Sequence, residues 1–145
     1  MFRKPELFPL GGRKMNRILS LVRRCVEDYD MIQPDDRVAV GVSGGKDSLA
    51  AFALAEEAAG RVDLINIDTG LEFPETSEYV RRFASVRGLR VHQARGDTGF
   101  KDNVDTFGPP AKDFRWCCKV CKLGPVTDII DTDFPKGTVT VEGNR

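Results

Sequence analysis

The 145-residue sequence lacks three features that would point to a membrane, an export route or a polyanionic partner. It has no apolar run near the ~20 residues that a membrane-spanning helix needs. Its first residues, 1–5, lack the apolar core of a signal peptide. Its formal net charge is zero, so composition alone does not call for a polyanionic partner. We therefore expect a cytoplasmic protein with no membrane partner.

Length and composition fit one globular domain. Hydrophobic residues make up 41% and charged residues 30% of the chain, which is ordinary for a domain with a buried core. Apolar periodicity predicts helices over 14–30, 49–59, 74–87 and 117–131, the last interrupted by Gly124-Pro125. Short apolar runs predict strands over 37–42, 62–67, 89–93 and 138–142, and the polar stretch 96–113 is predicted as a long loop.

The alternation of strands and helices predicts an α/β fold, a three-layer sandwich in which helices cover both faces of a parallel sheet. Sheets of this kind bind ligands at the carboxyl ends of their strands. We expect two segments, a lead-in with a helix at 1–36 and a nucleotide-binding domain at 37–145. Because the last predicted strand should be internal, we also expect the domain to continue beyond Arg145.

A glycine-rich segment, Ser43-Gly44-Gly45-Lys46-Asp47-Ser48, lies between the first predicted strand and the next helix. Glycines let backbone N–H groups approach a ligand, and the start of a helix favours an anion. Lys46 adds a positive charge, and the hydroxyl groups of Ser43 and Ser48 can donate hydrogen bonds. Asp47 would repel a phosphate unless a cation lies between them, so we expect Mg²⁺. The spacing is not that of a Walker A loop, in which a serine or threonine follows the lysine.

The same segment resembles the loop of the PP-loop ATP pyrophosphatase superfamily. The resemblance implies an adenine nucleotide α-hydrolase-like, Rossmann-like fold, with ATP bound by residues 43–48. It also implies that Lys46 and Asp47 assist cleavage of ATP between its α and β phosphates, which adenylates an acceptor and releases pyrophosphate. The alternative interpretation is a structural glycine-rich turn between a strand and a helix.

A second motif follows the second predicted strand. Asp68-Thr69-Gly70 and the residues up to Thr76 resemble the DTG-x-x-FPET segment of the adenylyl-sulfate and phosphoadenylyl-sulfate (PAPS) reductases. The resemblance spans residues 37–145 and implies that Asp68, Thr69 and Gly70 contact the nucleotide. By position alone, a loop that leads into a helix with Pro74 in its first turn is an equally good interpretation.

Three of the four cysteines, Cys117, Cys118 and Cys121, are clustered, which indicates metal or redox chemistry in a chain without an export signal. Their pattern resembles half of the iron–sulfur site of adenylyl-sulfate reductases and the paired cysteines of PP-loop tRNA thiolation enzymes. The resemblance implies that all three bind a [4Fe–4S] cluster, whose usual fourth ligand would come from beyond Arg145 or from a partner. Three alternatives stay open: persulfide or redox chemistry with Cys118 and Cys121 as catalytic thiols, a zinc site that His92 completes, and inert thiols.

Two further expectations concern individual thiols. Lys119 and Lys122 should lower the pKa values of the neighbouring thiols and favour thiolates. Cys25, which lies on the first predicted helix, should be a buried core residue.

Three functions follow from these motifs. In the first, ATP adenylates an acceptor such as tRNA, and sulfur brought by a donor protein to the cysteine site displaces AMP. In the second, adenylyl sulfate or phosphoadenylyl sulfate is reduced to sulfite with electrons from a donor protein. In the third, the chain is a non-catalytic nucleotide-binding module. The first is favoured because the sulfonucleotide reductases usually carry a degraded loop, whereas Lys46 and Asp47 are intact here. A homodimer is a further expectation.

Overall fold

The computed structural model describes residues 13–33 and 35–143, with side chains from residue 17 onward; residues 1–12 of the predicted lead-in lie outside this range. The helices are α1 (Arg13–Asp28), α2 (Lys46–Ala59), α3 (Pro74–Arg87), α4 (Phe100–Phe107), α5 (Trp116–Cys118) and α6 (Gly124–Asp133), and a π-helical turn at Lys119–Leu123 joins the last two. The strands are β1 (Val38–Gly41), β2 (Val62–Asp68), β3 (Val91–Arg95) and β4 (Val139–Glu142). None of these helices is long and apolar enough to cross a membrane.

The four strands form one parallel sheet in the order β3-β2-β1-β4, which confirms the predicted α/β fold. Val38 of β1 lies opposite Val62 of β2 and Val139 of β4. On the far side of β2, Leu64 lies opposite Val91 of β3. Within the described residues β4 forms an edge of the sheet, whereas the sequence predicts an internal strand.

Successive residues of the central strand face two separate helix layers. Val38 and Val40 of β1 pack with Phe52 of α2 in a cluster that also includes residues of α3. Ala39, between them, points to the other face and packs with Phe134, which directly follows α6. Burial of each large apolar side chain contributes about 1.5–3 kcal/mol. The sheet is therefore the middle layer of the predicted three-layer sandwich.

The strand order reverses at β1. After β1 the chain adds β2 and β3 on one side, and it later returns to place β4 on the other. In parallel sheets the crevice at such a reversal, outside the carboxyl ends of the strands, is where ligands bind. Residues 43–48 follow β1 at this point, so the fold brings the predicted phosphate loop to the expected ligand position.

The prediction of a long loop over 96–113 is wrong in its middle, where α4 forms. Asp102 stabilises the start of this helix, because its carboxylate accepts a hydrogen bond from the Gly99 N–H at 3.1 Å. Gly108, with φ of 74°, ends the helix. With only 8 residues, α4 is too short for an apolar period to outweigh the glycines and prolines around it.

The interruption predicted at Gly124-Pro125 takes the form of the π-helical turn just before it. Pro125 has no N–H, so it cannot donate the α-helical hydrogen bond to the carbonyl of Cys121. The N–H of Gly124 instead donates to the carbonyl of Lys119, five residues earlier. Turns of this wider kind are frequent at functional sites.

Cys25 is exposed, so its predicted place in the core is wrong. It lies one helical turn after Leu21, which is itself 50% exposed, so both residues lie on a part of the α1 surface that is open to solvent. The contact with α2 is made by other positions, including Arg23, which pairs with Glu57. The apolar stripe of α1 is therefore wider than the surface that α2 covers.

A buried polar cluster joins the amino ends of the strands, at the opposite edge of the sheet from residues 43–48. His92 is buried, with Nδ1 2.5 Å from a carboxylate oxygen of Asp133 and Nε2 3.7 Å from one of Asp63. Arg37 pairs with Asp63 and donates a hydrogen bond to the backbone carbonyl of Asp133 at 2.6 Å. Because both ring nitrogens of His92 face aspartates, this residue is not placed to complete a zinc site with the cysteines.

Candidate functional site

The phosphate loop (residues 43–48) is held in shape by the buried hydroxyl of Ser48. This hydroxyl donates a hydrogen bond to the Gly45 carbonyl at 2.9 Å and accepts one from the Ser43 N–H at 3.2 Å. Gly44 has φ of 77°, and a β-carbon there would lie 3.4 Å from a methyl group of Thr76. The loop therefore needs its serine as a clamp and its first glycine for both conformation and space.

Lys46 and Asp47 form an ion pair in the first turn of α2, with Nζ 3.0 Å from Oδ1. The lysine side chain is 77% exposed and the aspartate side chain 38% exposed, so the pair is open to solvent and to a ligand. Helix α2 begins at Lys46 and not at Leu49 as predicted, so both side chains stand on the positive end of the helix dipole. This placement suits a polyphosphate near Lys46 and a divalent cation near Asp47.

A cavity of about 400 Å³ opens beside the phosphate loop. Its lining is Ser43, Gly44 and Gly45 on one side and Glu75, Thr76 and Tyr79 of α3 on the other. The sequence predicted the loop residues but missed the α3 wall. The signal was present, because Glu75 and Thr76 belong to the same segment that carries Asp68-Thr69-Gly70.

The segment Asp68–Glu72, here called the DTG loop, is closed by its own side chains. The N–H and the hydroxyl of Thr69 donate hydrogen bonds to the Glu72 carboxylate at 2.9 and 2.8 Å. Asp68 accepts one from the Gly70 N–H at 2.9 Å and lies 3.4 Å from Arg95. Nucleotide contacts of Asp68, Thr69 and Gly70 stay a prediction, and Glu72 is a functional candidate that the sequence interpretation missed.

Glu72 keeps its charge to a lower pH in the folded protein than an ordinary glutamate does, because its pKa is lowered. Desolvation raises the pKa of its carboxyl group, but hydrogen bonds from the Thr69 hydroxyl and from backbone N–H groups outweigh it and lower the pKa below the usual 4.5. The stability that this loop gains from the charge is complete above pH 4.5 and is lost as pH falls through the lowered value. The closed DTG loop is therefore the expected form at neutral pH.

The cysteine segment (Trp116–Leu123) lies next to the DTG loop. The N–H of Phe100, the first residue of α4, donates to the Thr69 carbonyl at 3.1 Å, which ties α4 to that loop. Asn103 of α4 lies on the other side, with Nδ2 4.0 Å from Sγ of Cys121. Trp116 packs between Phe100 and Phe107 and fixes the start of the segment. The fold thus brings the second and third predicted motifs together.

The three thiols of this segment differ in exposure. Cys121 is buried, at 3% exposure, whereas Cys117 and Cys118 are half-buried. Consecutive helical residues point in different directions, so the thiols of Cys117 and Cys118 do not face each other. Within 13–33 and 35–143, no three His, Cys, Asp or Glu residues are grouped so that they could hold a metal ion. This arrangement does not fit a metal centre, and ligation of iron–sulfur or zinc by the three cysteines stays a prediction from sequence.

The pKa of the Cys121 thiol is raised above its usual 9.0, contrary to the expectation that the nearby lysines would favour a thiolate. Burial is the main cause, and the neighbouring Cys117 and Glu72 add to it. The hydrogen bond from Asn103 and the charge of Lys122 oppose the rise without cancelling it. At neutral pH, Cys121 is therefore a protonated thiol.

Alkylation of Cys121 is expected to rise with pH to a midpoint above pH 9.0, because the thiolate is the reacting form and its pKa is raised. The measurement is peptide mapping by mass spectrometry after brief iodoacetamide treatment across a pH series, with exposed Cys25 as the internal reference. Asn103→Leu should move the midpoint for Cys121 further upward, since it removes a hydrogen bond that favours the thiolate. A midpoint for Cys121 at or below 9.0 would contradict this assignment.

Comparison with known proteins extends these observations. Residues 37–145 match the phosphoadenosine phosphosulfate reductase domain family. An uncharacterised protein of Methanocaldococcus jannaschii is 38% identical over 109 residues, which are 74% of this chain and 22% of that protein. A tRNA-cytidine(32) 2-sulfurtransferase of Geotalea uraniireducens is 41% identical over 95 residues, which are 61% of this chain and 37% of that enzyme. The chain thus spans well under half the length of these relatives.

Among solved structures, the U34-tRNA thiolase NcsA of Methanococcus maripaludis, determined with its [4Fe–4S] cluster, has the same fold. The TM-score is 0.59 at 22% sequence identity, and the match covers 90% of this chain and 46% of the thiolase. The likeness confirms the Rossmann-like α/β architecture that the sequence predicted. The match over residues 37–145 shows that the chain belongs to the phosphoadenosine phosphosulfate reductase domain family.

Proposed function

We propose that the chain is the nucleotide-binding part of an enzyme that adenylates an acceptor with Mg-ATP and then transfers sulfur to it. The observation that carries this proposal is the intact phosphate loop, in which Lys46 and Asp47 form an exposed ion pair in the first turn of α2. A sulfonucleotide has no β–γ pyrophosphate to hold, so this pair is better explained by ATP. The tRNA-cytidine sulfurtransferase relative supports tRNA as the acceptor.

Adenylation requires the loop to stabilise a leaving group. A carbonyl oxygen of the acceptor attacks the α-phosphorus of ATP, the bond from that phosphorus to the bridging oxygen breaks, and pyrophosphate leaves with the added negative charge. Lys46 and the N–H groups at the start of α2 would stabilise this charge. A Mg²⁺ ion near Asp47 would neutralise phosphate charge. The cavity between the loop and α3 gives the phosphates room.

Sulfur transfer is assigned to the thiols of the cysteine segment. A donor protein leaves a persulfide on Cys118, whose outer sulfur attacks the adenylated carbon, so that AMP departs with the former carbonyl oxygen. The thiol of Cys121 then attacks the sulfur of Cys118 and releases the thiolated product. The pair ends as a disulfide, which a thiol reductant must reopen. The raised pKa of Cys121 keeps the second thiol protonated and unreactive at neutral pH, so its proton must be removed before it attacks.

A second function, reduction of adenylyl sulfate or phosphoadenylyl sulfate, is supported by the family match and by the DTG loop. A cysteine thiolate would attack the sulfur of the sulfonucleotide and expel the nucleotide, and a second thiol would release sulfite and leave a disulfide. This chemistry makes no pyrophosphate, which separates it cleanly from the first.

Purified protein, incubated anaerobically with Mg-ATP, unmodified tRNA and a sulfur donor, is expected to release AMP and pyrophosphate in equal amounts. The measurement is chromatography of the nucleotides together with a coupled pyrophosphate assay, with and without tRNA. Sulfite formation from adenylyl sulfate with a thiol donor, and no pyrophosphate from ATP with any acceptor, would favour the reductase. Binding of ATP with neither product would favour a non-catalytic module.

A further inference from the structure

The backbone of Gly143, directly after β4, lies against the peptide unit that joins Asp47 to Ser48. A β-carbon at Gly143 would lie 2.4 Å from the carbonyl oxygen of Asp47, 2.6 Å from its carbonyl carbon and 2.9 Å from the nitrogen of Ser48. Non-bonded carbon atoms are at their best separation about 3.5–4.0 Å apart. All three atoms belong to the backbone and cannot turn aside as a side chain can, so only glycine fits here without a shift of α2.

The sheet register explains this close approach. Glu142, the last residue of β4, lies opposite Gly41, the last residue of β1. Gly143 therefore continues beside the point where the chain leaves β1 for the phosphate loop. The first turn of α2, which includes the end of the phosphate loop, packs directly against Gly143. A contact between residues almost a hundred positions apart therefore joins the end of β4 to the first turn of α2.

The Asp47–Ser48 peptide carries the serine that clamps the loop. Moving this peptide outward to an ordinary contact needs a shift of roughly 1 Å, since the clash is far inside the normal separation. The hydroxyl of Ser48 bonds the Gly45 carbonyl at 2.9 Å and the Ser43 N–H at 3.2 Å. Neither bond would survive a shift of that size, because hydrogen bonds weaken beyond about 3.2 Å.

We propose that Gly143 is a positioning residue for the phosphate loop. Its missing side chain sets the place of the Asp47–Ser48 peptide and, through the Ser48 hydroxyl, the place of the N–H groups that receive phosphates. The inference rests on the proposed function in one respect, that this loop binds the pyrophosphate part of ATP.

The test compares two alanine variants at opposite ends of β4. Gly143→Ala is expected to weaken binding of Mg-ATP and of inorganic pyrophosphate by roughly 10- to 100-fold, since a misplacement of 1 Å can cost that much. Gly137→Ala is the matched control. Gly137 has φ of 87° with nothing within 4 Å of a β-carbon, so alanine there strains the turn before β4 without touching the loop. Isothermal titration gives both affinities, and thermal unfolding gives the stability of each variant.

The proposal requires Gly143→Ala to lose affinity while Gly137→Ala keeps it, even where the two variants unfold at similar temperatures. Amide hydrogen exchange is the second measurement, and it should show faster exchange at Ser48 and Leu49 in Gly143→Ala only. Equal affinity in wild type and Gly143→Ala would overturn the inference, as would a Gly143→Ala chain without the wild-type circular dichroism spectrum, because Gly143 would then serve the fold as a whole. Failure of wild type to bind either ligand would instead reject the proposed function.

Discussion

Replacing Lys46 by alanine is expected to lower kcat/KM for pyrophosphate release roughly 10²–10³-fold, the cost of removing one well-placed group that stabilises transition-state charge. The ammonium group lies on an exposed side chain in the first turn of α2, 3.0 Å from Asp47, and Lys46 is the only lysine within residues 43–48. Its charge is most useful when the α–β bond breaks and the pyrophosphate becomes more negative. The loss should therefore fall on kcat as well as on KM. Steady-state kinetics with varied Mg-ATP measures both.

Asp47→Asn tests whether the carboxylate in the same turn of α2 binds the cation. This variant keeps the shape of the side chain but loses the negative charge that attracts Mg²⁺, so it should need a higher Mg²⁺ concentration for half-maximal rate.

The control for Lys46→Ala is Lys136→Ala, since Lys136 is an exposed residue of the turn before β4, outside the site. Lys46→Ala with wild-type kcat/KM would remove the phosphate loop from the chemistry.

The parts of the site that could be predicted from the sequence are those whose residues are contiguous. Residues 43–48 indicate a phosphate loop because the glycines, the lysine and the serines all lie within one turn between a strand and a helix. The parallel sheet was predictable for the same reason, since each βα unit has its own apolar run and its own helix. Asp68-Thr69-Gly70 and the cysteines were found as motifs, although their contacts with a ligand stay a prediction.

The parts that could not be predicted depend on contacts between distant segments. Gly143 looks like any loop glycine until β4 is paired with β1, and Asn103 lies in a stretch whose helix the sequence did not predict. The raised pKa of Cys121 follows from burial and from Glu72, which the local pattern of lysines does not contain. The prediction that Cys25 is buried was also wrong. An amphipathic stripe shows which residues of α1 are apolar, but it does not show how many of them α2 covers.

Replacing Cys118 or Cys121 by serine is expected to abolish the thiolated product while leaving affinity for Mg-ATP within about twofold of wild type, because the phosphate loop belongs to a different βα unit. A serine hydroxyl cannot carry a persulfide, and it cannot open a sulfur–sulfur bond as a thiolate does. The measurements are thionucleoside analysis of tRNA digests and titration with Mg-ATP. Cys25→Ser, an exposed thiol on α1, is the control and should keep full product. Product from both single variants would place sulfur transfer outside the Cys118–Cys121 pair.

Cys117 distinguishes the two kinds of sulfur chemistry that the cysteine segment allows. A persulfide route needs only Cys118 and Cys121, so Cys117→Ser should retain most of the thiolated product. A cluster route needs all three thiols, so the same variant should lose both product and bound iron. The described arrangement, in which Cys121 is buried against Asn103 and Cys117 and Cys118 are half-buried, favours the first result. Retained product with no change in metal content would establish the pair as sufficient, whereas joint loss of product and iron would mean that ligand binding rearranges this helix to bring the three thiols together.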